Sequence, residues 1–382
     1  MSNNRVTVTF YSNFLLLHQV PFCEEMVRIL GDGFYFVATR PIPQDRIEMG
    51  YEDLSHSTSY SINAYENAES EKLAKRLAIE SDIVIHGAAP EQYLYDRLKR
   101  NKITFRYSER FFKRGKIRLL DPRVAWFYYK NAFRYRNKNL YMLCASAYTA
   151  QDCQFIRCFP EKTFKWGYFP EVISYDTEEL MKKKENDRIS ILWVGRQIVW
   201  KHPEMAVRLA YELKKKEYPF ELVIIGDGPL QDSLVQQVKE KKVSDFVRFE
   251  KFLPQPKVRE YMEKADIFLF TSDKQEGWGA VLNEAMNSGC AVVANDAIGS
   301  VPFLIKDGVN GLTYHNDEKD MIAKVEKLIN DRELTKRMGL EAYSAMRTMW
   351  NAENAAQRLV HLFQGLLQGK IVEFEEGPCS RA

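Results

Sequence analysis

Short apolar runs rich in β-branched and aromatic residues alternate along the chain with stretches whose apolar positions recur at helical spacing. Residues 6–11, 34–38, 82–86 and 103–107 read as buried strands. Helical segments are predicted at 24–30 and 70–78, and Gly31-Asp32-Gly33 turns the chain between the first helix and the second strand. The same alternation resumes after residue 188. Strands are predicted at 189–194, 221–226, 246–249, 266–270 and 291–294, with helices at 203–215 and 231–241. Strands that alternate with helices form parallel sheets covered by those helices, and two such series predict two doubly wound α/β domains. The lysine-rich segment 176–188 has little that could pack in a core and reads as a linker. A closing helix at 352–367 presents Ala352, Ala355, Leu359, Phe363 and Leu366 as one apolar stripe. The chain shows no fixed-period repeat and no low-complexity tract.

A chain of 382 residues exceeds one ordinary hydrophobic core, in keeping with two domains. Charge sharpens the picture more than bulk composition does. The formal net charge is only +3, yet between Arg106 and Lys138 eleven Lys or Arg face only Glu109 and Asp121. The six cysteines form no CxxC pair and have no histidine at metal-ligand spacing, so a zinc site or disulfide framework is not expected. No apolar run approaches the roughly 20 residues needed to span a bilayer, and the early Phe14-Leu15-Leu16-Leu17 is too short for a signal peptide. These features predict a cytoplasmic protein with reduced thiols.

The most specific chemistry lies in Glu276-Gly277-Trp278-Gly279-Ala280-Val281-Leu282-Asn283-Glu284. It places two carboxylates eight positions apart, between a strand and a predicted helix, where open α/β sheets bind ligands. Two such acceptors suit the hydroxyls of a polyol, while the amides between them suit a phosphate. Val194-Gly195-Arg196, followed by Lys201, adds two cations at another strand end, complementary to diphosphate oxygens. No strand is followed by GxGxxG, and no GxxxxGK[ST] loop occurs, which argues against nicotinamide, flavin and P-loop nucleotide sites. Asp-x-Asp is also absent, so no metal is predicted and protein groups would have to neutralise a leaving diphosphate.

Gly195-Arg196 with Lys201, Gly226-Asp227-Gly228-Pro229, Glu276 through Glu284 and Asp307-Gly308-Val309-Asn310-Gly311 occur in one order. In that order the chain resembles a family 4 retaining glycosyltransferase, of glycosyl transferases group 1. The likeness is strong from residue 189 to 340 and weaker from 6 to 170. It implies a GT-B fold, with two Rossmann-like domains facing each other across a cleft. An acceptor-binding domain would span 1–175 and a nucleotide-sugar domain 176–350, with helix 351–370 crossing back to the first and 371–382 a tail. By the same resemblance, Arg196 and Lys201 hold the donor diphosphate, Glu276 the transferred sugar and Glu284 the ribose. Phe252 and Leu253 lie beside the base, and Gly195, Gly226, Gly277, Trp278, Gly279, Ala280 and Val281 complete the donor contacts. The anomeric configuration is kept, the leaving phosphate takes the acceptor's proton, and no cofactor is needed beyond the nucleotide sugar itself.

Two departures from the family pattern stand out. The histidine expected after an amino-domain strand is replaced by Ser108 or Glu109, leaving Glu109, His86 and His18 as candidates to contact donor or acceptor, while Ser12 and Asn13 line the first loop. Gly299-Ser300-Val301-Pro302-Phe303 carries Phe303 where relatives often have Glu, and that ring is expected to pack.

Cations in the 106–141 stretch alternate with Phe111, Phe112, Trp126, Phe127, Tyr128, Tyr129, Phe133 and Tyr135. An anionic membrane face at residues 106–138, or a lipid-linked or saccharide acceptor, fits this pattern, as does a solvated basic face with its aromatics turned inward. No nucleic-acid motif accompanies it. The sequence favours a glycosyltransferase of cell-surface polysaccharide or glycolipid assembly, peripheral at the inner membrane face. A small soluble acceptor and a non-catalytic nucleotide- or glycan-binding subunit are the alternatives.

Overall fold

The computed structural model describes residues 6–44, 47 and 52–382. Two compact units emerge, Met1–Pro170 with Asn351–Ala382, and Glu171–Trp350. Among the described residues, the first unit holds a seven-stranded sheet ordered β3-β2-β1-β4-β5-β6-β7. Its strands are β1 (Val8–Ser12), β2 (Phe34–Ala38), β3 (Ser61–Asn63), β4 (Ile83–His86), β5 (Thr104–Ser108), β6 (Leu140–Cys144) and β7 (Thr163–Lys165). Every pairing is parallel. Strand order reverses between β1 and β4, and the register Tyr11↔His86 brings their carboxyl ends side by side. That switch point leaves a crevice at the strand ends, the usual ligand position in open α/β sheets.

The second unit's sheet is ordered β10-β9-β8-β11-β12-β13. It comprises β8 (Ile189–Val194), β9 (Phe220–Ile225), β10 (Val247–Glu250), β11 (Ile267–Phe270), β12 (Ala291–Asn295) and β13 (Leu312–Tyr314). Its switch point lies between β8 and β11. The two loops that carry Lys201 and Glu276 both leave the sheet there.

Helix Pro203–Lys215 begins at the proline that pre-sets its first turn, and it buries Ala206, Val207, Leu209, Ala210 and Leu213 on β8 and β9. Helix Ala352–Leu367 is N-capped by Asn351, whose side chain accepts from the Asn354 amide, and its predicted apolar stripe is buried. This helix packs against helix Val20–Leu30 of the first unit.

Two segments differ from the sequence expectation. Residues 176–188 are not a bare linker: helix Thr177–Lys182 buries Leu180 and Met181, and Lys184 is buried as well. The Lys184 ammonium donates to the carbonyls of Met262 and Ala265 at 3.0 and 2.7 Å, satisfying the open C-terminus of helix Gln255–Lys264. A lysine that reads as solvated is thus a helix cap, its apolar stem buried behind it. Residues 371–382 are not a loose tail either. The Lys165 amide donates to Ser380 O at 2.7 Å, the Cys379 amide donates to Lys165 O at 2.8 Å, and Phe164 bridges Arg381 antiparallel. Residues 171–175 fall with the second unit, where the Ile173 amide donates to Asn287 Oδ1 and the Tyr175 amide to Tyr343 Oη.

Arg97 is the largest buried charge in the first unit, with no exposed surface. Its guanidinium donates to Thr104 Oγ1 at 3.0 Å and to the carbonyls of Ala78, Ser81, Asp82 and Ile103 at 2.6–3.2 Å. Burial lowers its pKa to about 10. One side chain thus joins the end of helix Ala68–Glu80 to the starts of β4 and β5. Arg97→Met should destabilise the chain by about 3–5 kcal/mol, because it strips donors from buried carbonyls. Chemical denaturation with an unchanged m-value would check this, and a loss below about 1 kcal/mol would refute it.

Candidate functional site

Lys201 ends a 3₁₀ turn, Val199–Lys201, and its stem passes over Gly195, where an added Cβ would lie 3.1 Å from Lys201 Cδ. The ammonium donates to Glu276 Oε2 at 2.5 Å, and Ser272 Oγ donates to the same oxygen at 3.2 Å. Both members of the ion pair remain about one-sixth exposed, at 15% and 16%. The pair is therefore reachable by a ligand yet poorly screened. Trp193 Nε1 donates to Thr271 Oγ1 at 2.8 Å, and that hydroxyl donates to Lys201 O at 2.6 Å, bracing the loop from below. The Asp273 amide donates to Trp200 O and the Glu276 amide to Asp273 O, so the two loops are tied together.

Gly226 has φ +129°, and a Cβ there would lie 2.1 Å from Gly195 O. This close approach holds the strand ends of β8 and β9 together, and Gln197, fully buried, crosses between them by donating to Gly226 O. Arg196 is exposed. Gly279, at φ +81°, packs under Phe270 and against Glu276 Cγ, where a side chain would collide.

Trp278 turns its side chain into the core. Its indole is fully buried, Nε1 donates to Asn283 Oδ1, and the ring packs with Phe303 and Trp350, so only its backbone can face a ligand. Phe303 stacks on Trp350 at 12° between ring planes and is packed, as expected. Gly277 is buried, whereas Ala280 and Val281 are partly exposed. Glu284, half-buried on helix Val281–Asn287, accepts from Gln255 Nε2 at 3.0 Å. Burial raises its pKa, opposed by that hydrogen bond and by Arg259. Phe252 is 54% exposed just beyond β10, beside the partly buried Leu253. The Asp307–Gly311 motif is a turn whose Asn310 accepts from the Lys306 amide and donates to Leu304 O.

His202 follows Lys201 in the left-handed region at φ 49°, ψ 50°. Its Nδ1 lies 3.0 Å from Glu204 Oε1 and its Nε2 lies 3.5 Å from Asp273 Oδ2, on the loop that carries Glu276. The hydrogen bond with Glu204 raises the imidazole pKa, against partial burial. A raised folded pKa stabilises fully below the ordinary imidazole value, and the contribution disappears as pH climbs through the raised value. The difference in melting temperature between wild type and His202→Asn, asparagine being a residue that tolerates the left-handed region, should therefore shrink as pH rises above the ordinary imidazole value of about 6.5. A pH-independent difference would refute it.

The first unit gathers a second set. Ser12, Asn13, His18, His86 and Glu109 all line one cavity of about 580 Å³ at the β1/β4 switch point. His86 is 1% exposed, and burial, with Arg106, lowers its pKa to about 4. Its Nε2–H donates to Pro90 O at 3.2 Å, so Nδ1 keeps a lone pair. His18 stacks on Tyr168 with ring centroids 4.4 Å apart, and burial lowers its pKa to about 4. Both imidazoles are therefore neutral near pH 7. Glu109 accepts from Tyr168 Oη at 2.7 Å and pairs with Lys113. Arg106 forks onto both oxygens of Glu91 at 2.8 and 2.5 Å.

The basic segment divides its aromatics. Phe112 and Tyr135 are buried, whereas Ile117, Leu120, Trp126, Phe127 and Tyr129 are 47–79% exposed around helix Pro122–Asn131. Among the described residues no helix is long and apolar enough to cross a membrane. All six cysteines are buried and unpaired by disulfides.

Sequence reading missed His202, Asp273, Ser272 and Gln255. Each is a polar loop or helix-start residue whose role arises from a partner distant in sequence, such as Glu284 for Gln255 and Asp273 for His202, or from local turn geometry, and no periodicity marks such residues.

Residues 176–345 match the family model described as glycosyl transferases group 1. The amylovoran biosynthesis glycosyltransferase AmsK of Erwinia amylovora is 29% identical over 184 residues, 47% of this chain and 45% of that protein. The D-inositol 3-phosphate glycosyltransferase of Nocardia farcinica is 31% identical over 200 residues, 50% of this chain and 42% of that protein. The chain thus spans less than half the length of these curated relatives. Among solved structures, Anabaena Alr3699/HepE in complex with UDP superposes with a TM-score of 0.70 at 14% identity, over 94% of this chain and 100% of that one. Such a likeness concerns the fold alone, and together with the two parallel-sheet units it identifies the GT-B fold.

Proposed function

We propose, given that residues 176–345 belong to the glycosyl transferases group 1 family, that this protein moves a sugar from a nucleotide-diphosphate sugar to an acceptor in glycan or glycolipid assembly. The observation that carries this reading is the Lys201–Glu276 pair at the β8/β11 switch point. There a cation for phosphate and a carboxylate for hydroxyls are held within one hydrogen bond of each other.

In this reading the donor diphosphate displaces Glu276 from Lys201 and also meets Arg196 and the backbone from Gly279 to Val281. Glu276, released, accepts the sugar's hydroxyls, and Glu284 accepts the ribose hydroxyls beside Phe252. Positive charge placed on the leaving oxygens stabilises the charge that grows as the bond from the anomeric carbon to phosphate breaks. The acceptor oxygen forms its bond to the same face of that carbon, and its proton passes to a leaving phosphate oxygen. No protein nucleophile and no metal enter these steps, and the configuration is retained.

The acceptor is proposed to be lipid-linked and held by the first unit, because exposed Ile117, Leu120 and Trp126 lie among exposed cations such as Arg118. Basic residues near an anionic leaflet contribute about 1 kcal/mol each. Nucleoside diphosphate release from a panel of nucleotide sugars tests the reaction. Release by wild type with loss in Glu276→Ala supports it, and no release from any donor overturns it. Sedimentation with anionic vesicles at low salt tests the membrane part separately.

A further inference from the structure

The polar cavity at the β1/β4 switch point shares Phe111, Phe127 and Tyr128 with a second cavity of about 440 Å³. Both volumes fall within the range of small-molecule sites. The two differ in chemistry. The larger is lined by four residues with buried polar atoms that have no partner: His86 Nδ1, Arg106 Nε, Arg110 Nε and Asn131 Oδ1. Two of these atoms donate and two accept, which matches a headgroup bearing both anionic oxygens and hydroxyls. The smaller cavity is walled by aromatic rings, including the buried Phe112, and by Val124, with the exposed Arg118 and the Arg123–Asp121 ion pair also on its lining.

We propose that the two cavities form one site for an amphiphilic acceptor. The phosphorylated or hydroxylated head occupies the larger cavity. The first part of an alkyl or isoprenoid chain lies in the smaller one, leading toward exposed Ile117 and Leu120, chain neighbours of Arg118. This rests on the reading of the protein as a sugar transferase, and it adds where the two halves of the acceptor are held. A chain without a polar head leaves the unpartnered atoms of the larger cavity unanswered, and a head without a chain leaves the aromatic cavity empty.

Titration calorimetry on the full chain, as wild type and as Lys201→Ala to weaken the diphosphate site proposed for the donor, tests this with farnesyl diphosphate below its micellar concentration, inorganic diphosphate and farnesol as separate probes. Farnesyl diphosphate is expected to bind about tenfold or more tighter than either fragment. Val124→Trp, which fills the smaller cavity, should erase that advantage and leave inorganic diphosphate unaffected. Equal affinity for farnesyl diphosphate and inorganic diphosphate, or an unchanged advantage in Val124→Trp, overturns the proposal. If Val124→Trp fails to unfold cooperatively, Phe127→Ala carries the same test at a ring that is 47% exposed. Nucleoside diphosphate release from a nucleotide sugar, measured in parallel, separates the two readings. Amphiphile binding without release overturns the transferase, and release without amphiphile binding overturns this site.

Discussion

Lys201→Ala should lower sugar transfer about 10²- to 10³-fold, the usual cost of removing one preorganised group aimed at developing charge. Stability should change far less. The pair is partly exposed, and Glu276 keeps the hydroxyl of Ser272, so the folding cost should stay near 1 kcal/mol. The two effects divide cleanly in one experiment: single-turnover rates report the first, and denaturant midpoints report the second. Lys201→Arg is informative beside it. An arginine keeps the charge but replaces a point ammonium with a planar fork, and Gly195 leaves little room beneath the stem. Wild-type rates in Lys201→Ala would remove this residue from the mechanism.

Gly226→Ala is expected to be the most damaging small substitution in the second unit. Its Cβ would lie 2.1 Å from Gly195 O, a backbone atom that cannot rotate away, and φ +129° is a conformation that alanine avoids. Steric overlap and backbone strain together should cost about 3 kcal/mol or more. For a unit of this size that corresponds to a melting-temperature loss of roughly 6–12 °C. Gly308→Ala provides the contrast, because a Cβ added there meets no heavy atom within 4 Å and only the φ of +77° opposes it. Equal losses at both positions would show that dihedral strain, and not the approach of Gly195, dominates.

The strands that sequence exposed were predominantly apolar runs of four to six residues. β8, β9 and β11 are almost wholly buried, so their pattern needs no partner to be recognised. Three-residue β3, β7 and β13 offer too few positions for any period to register. β6, Leu140–Cys144, is fully buried, but it closes a basic aromatic segment that drew attention to charge. The packing of residues 371–382 was hidden for a different reason: backbone hydrogen bonds to β7 hold them in place, and such bonds leave little trace in side-chain pattern. At the candidate site, Glu276 and Lys201 were legible because their spacing follows strand ends. The direction of the Trp278 side chain could not be read there, because a motif reports backbone position whereas the indole packs on Trp350 and Phe303, distant in sequence. His86 stood out as a strand-end histidine, but its unpartnered nitrogen became visible only with Arg106 and Asn131 around it.

β7 is the outermost strand of its sheet, and an uncovered outer strand offers a row of open amides and carbonyls to any passing chain. Residues 379–381 occupy part of that row, with Lys165 exchanging hydrogen bonds with Cys379 and Ser380, and Arg381 lies over the Phe164 ring. An edge covered in this way has fewer open groups to pair with another chain. Removing residues 379–381 should leave the sheet folded but adhesive, and the change would register as turbidity on concentration before it registered as lost catalysis.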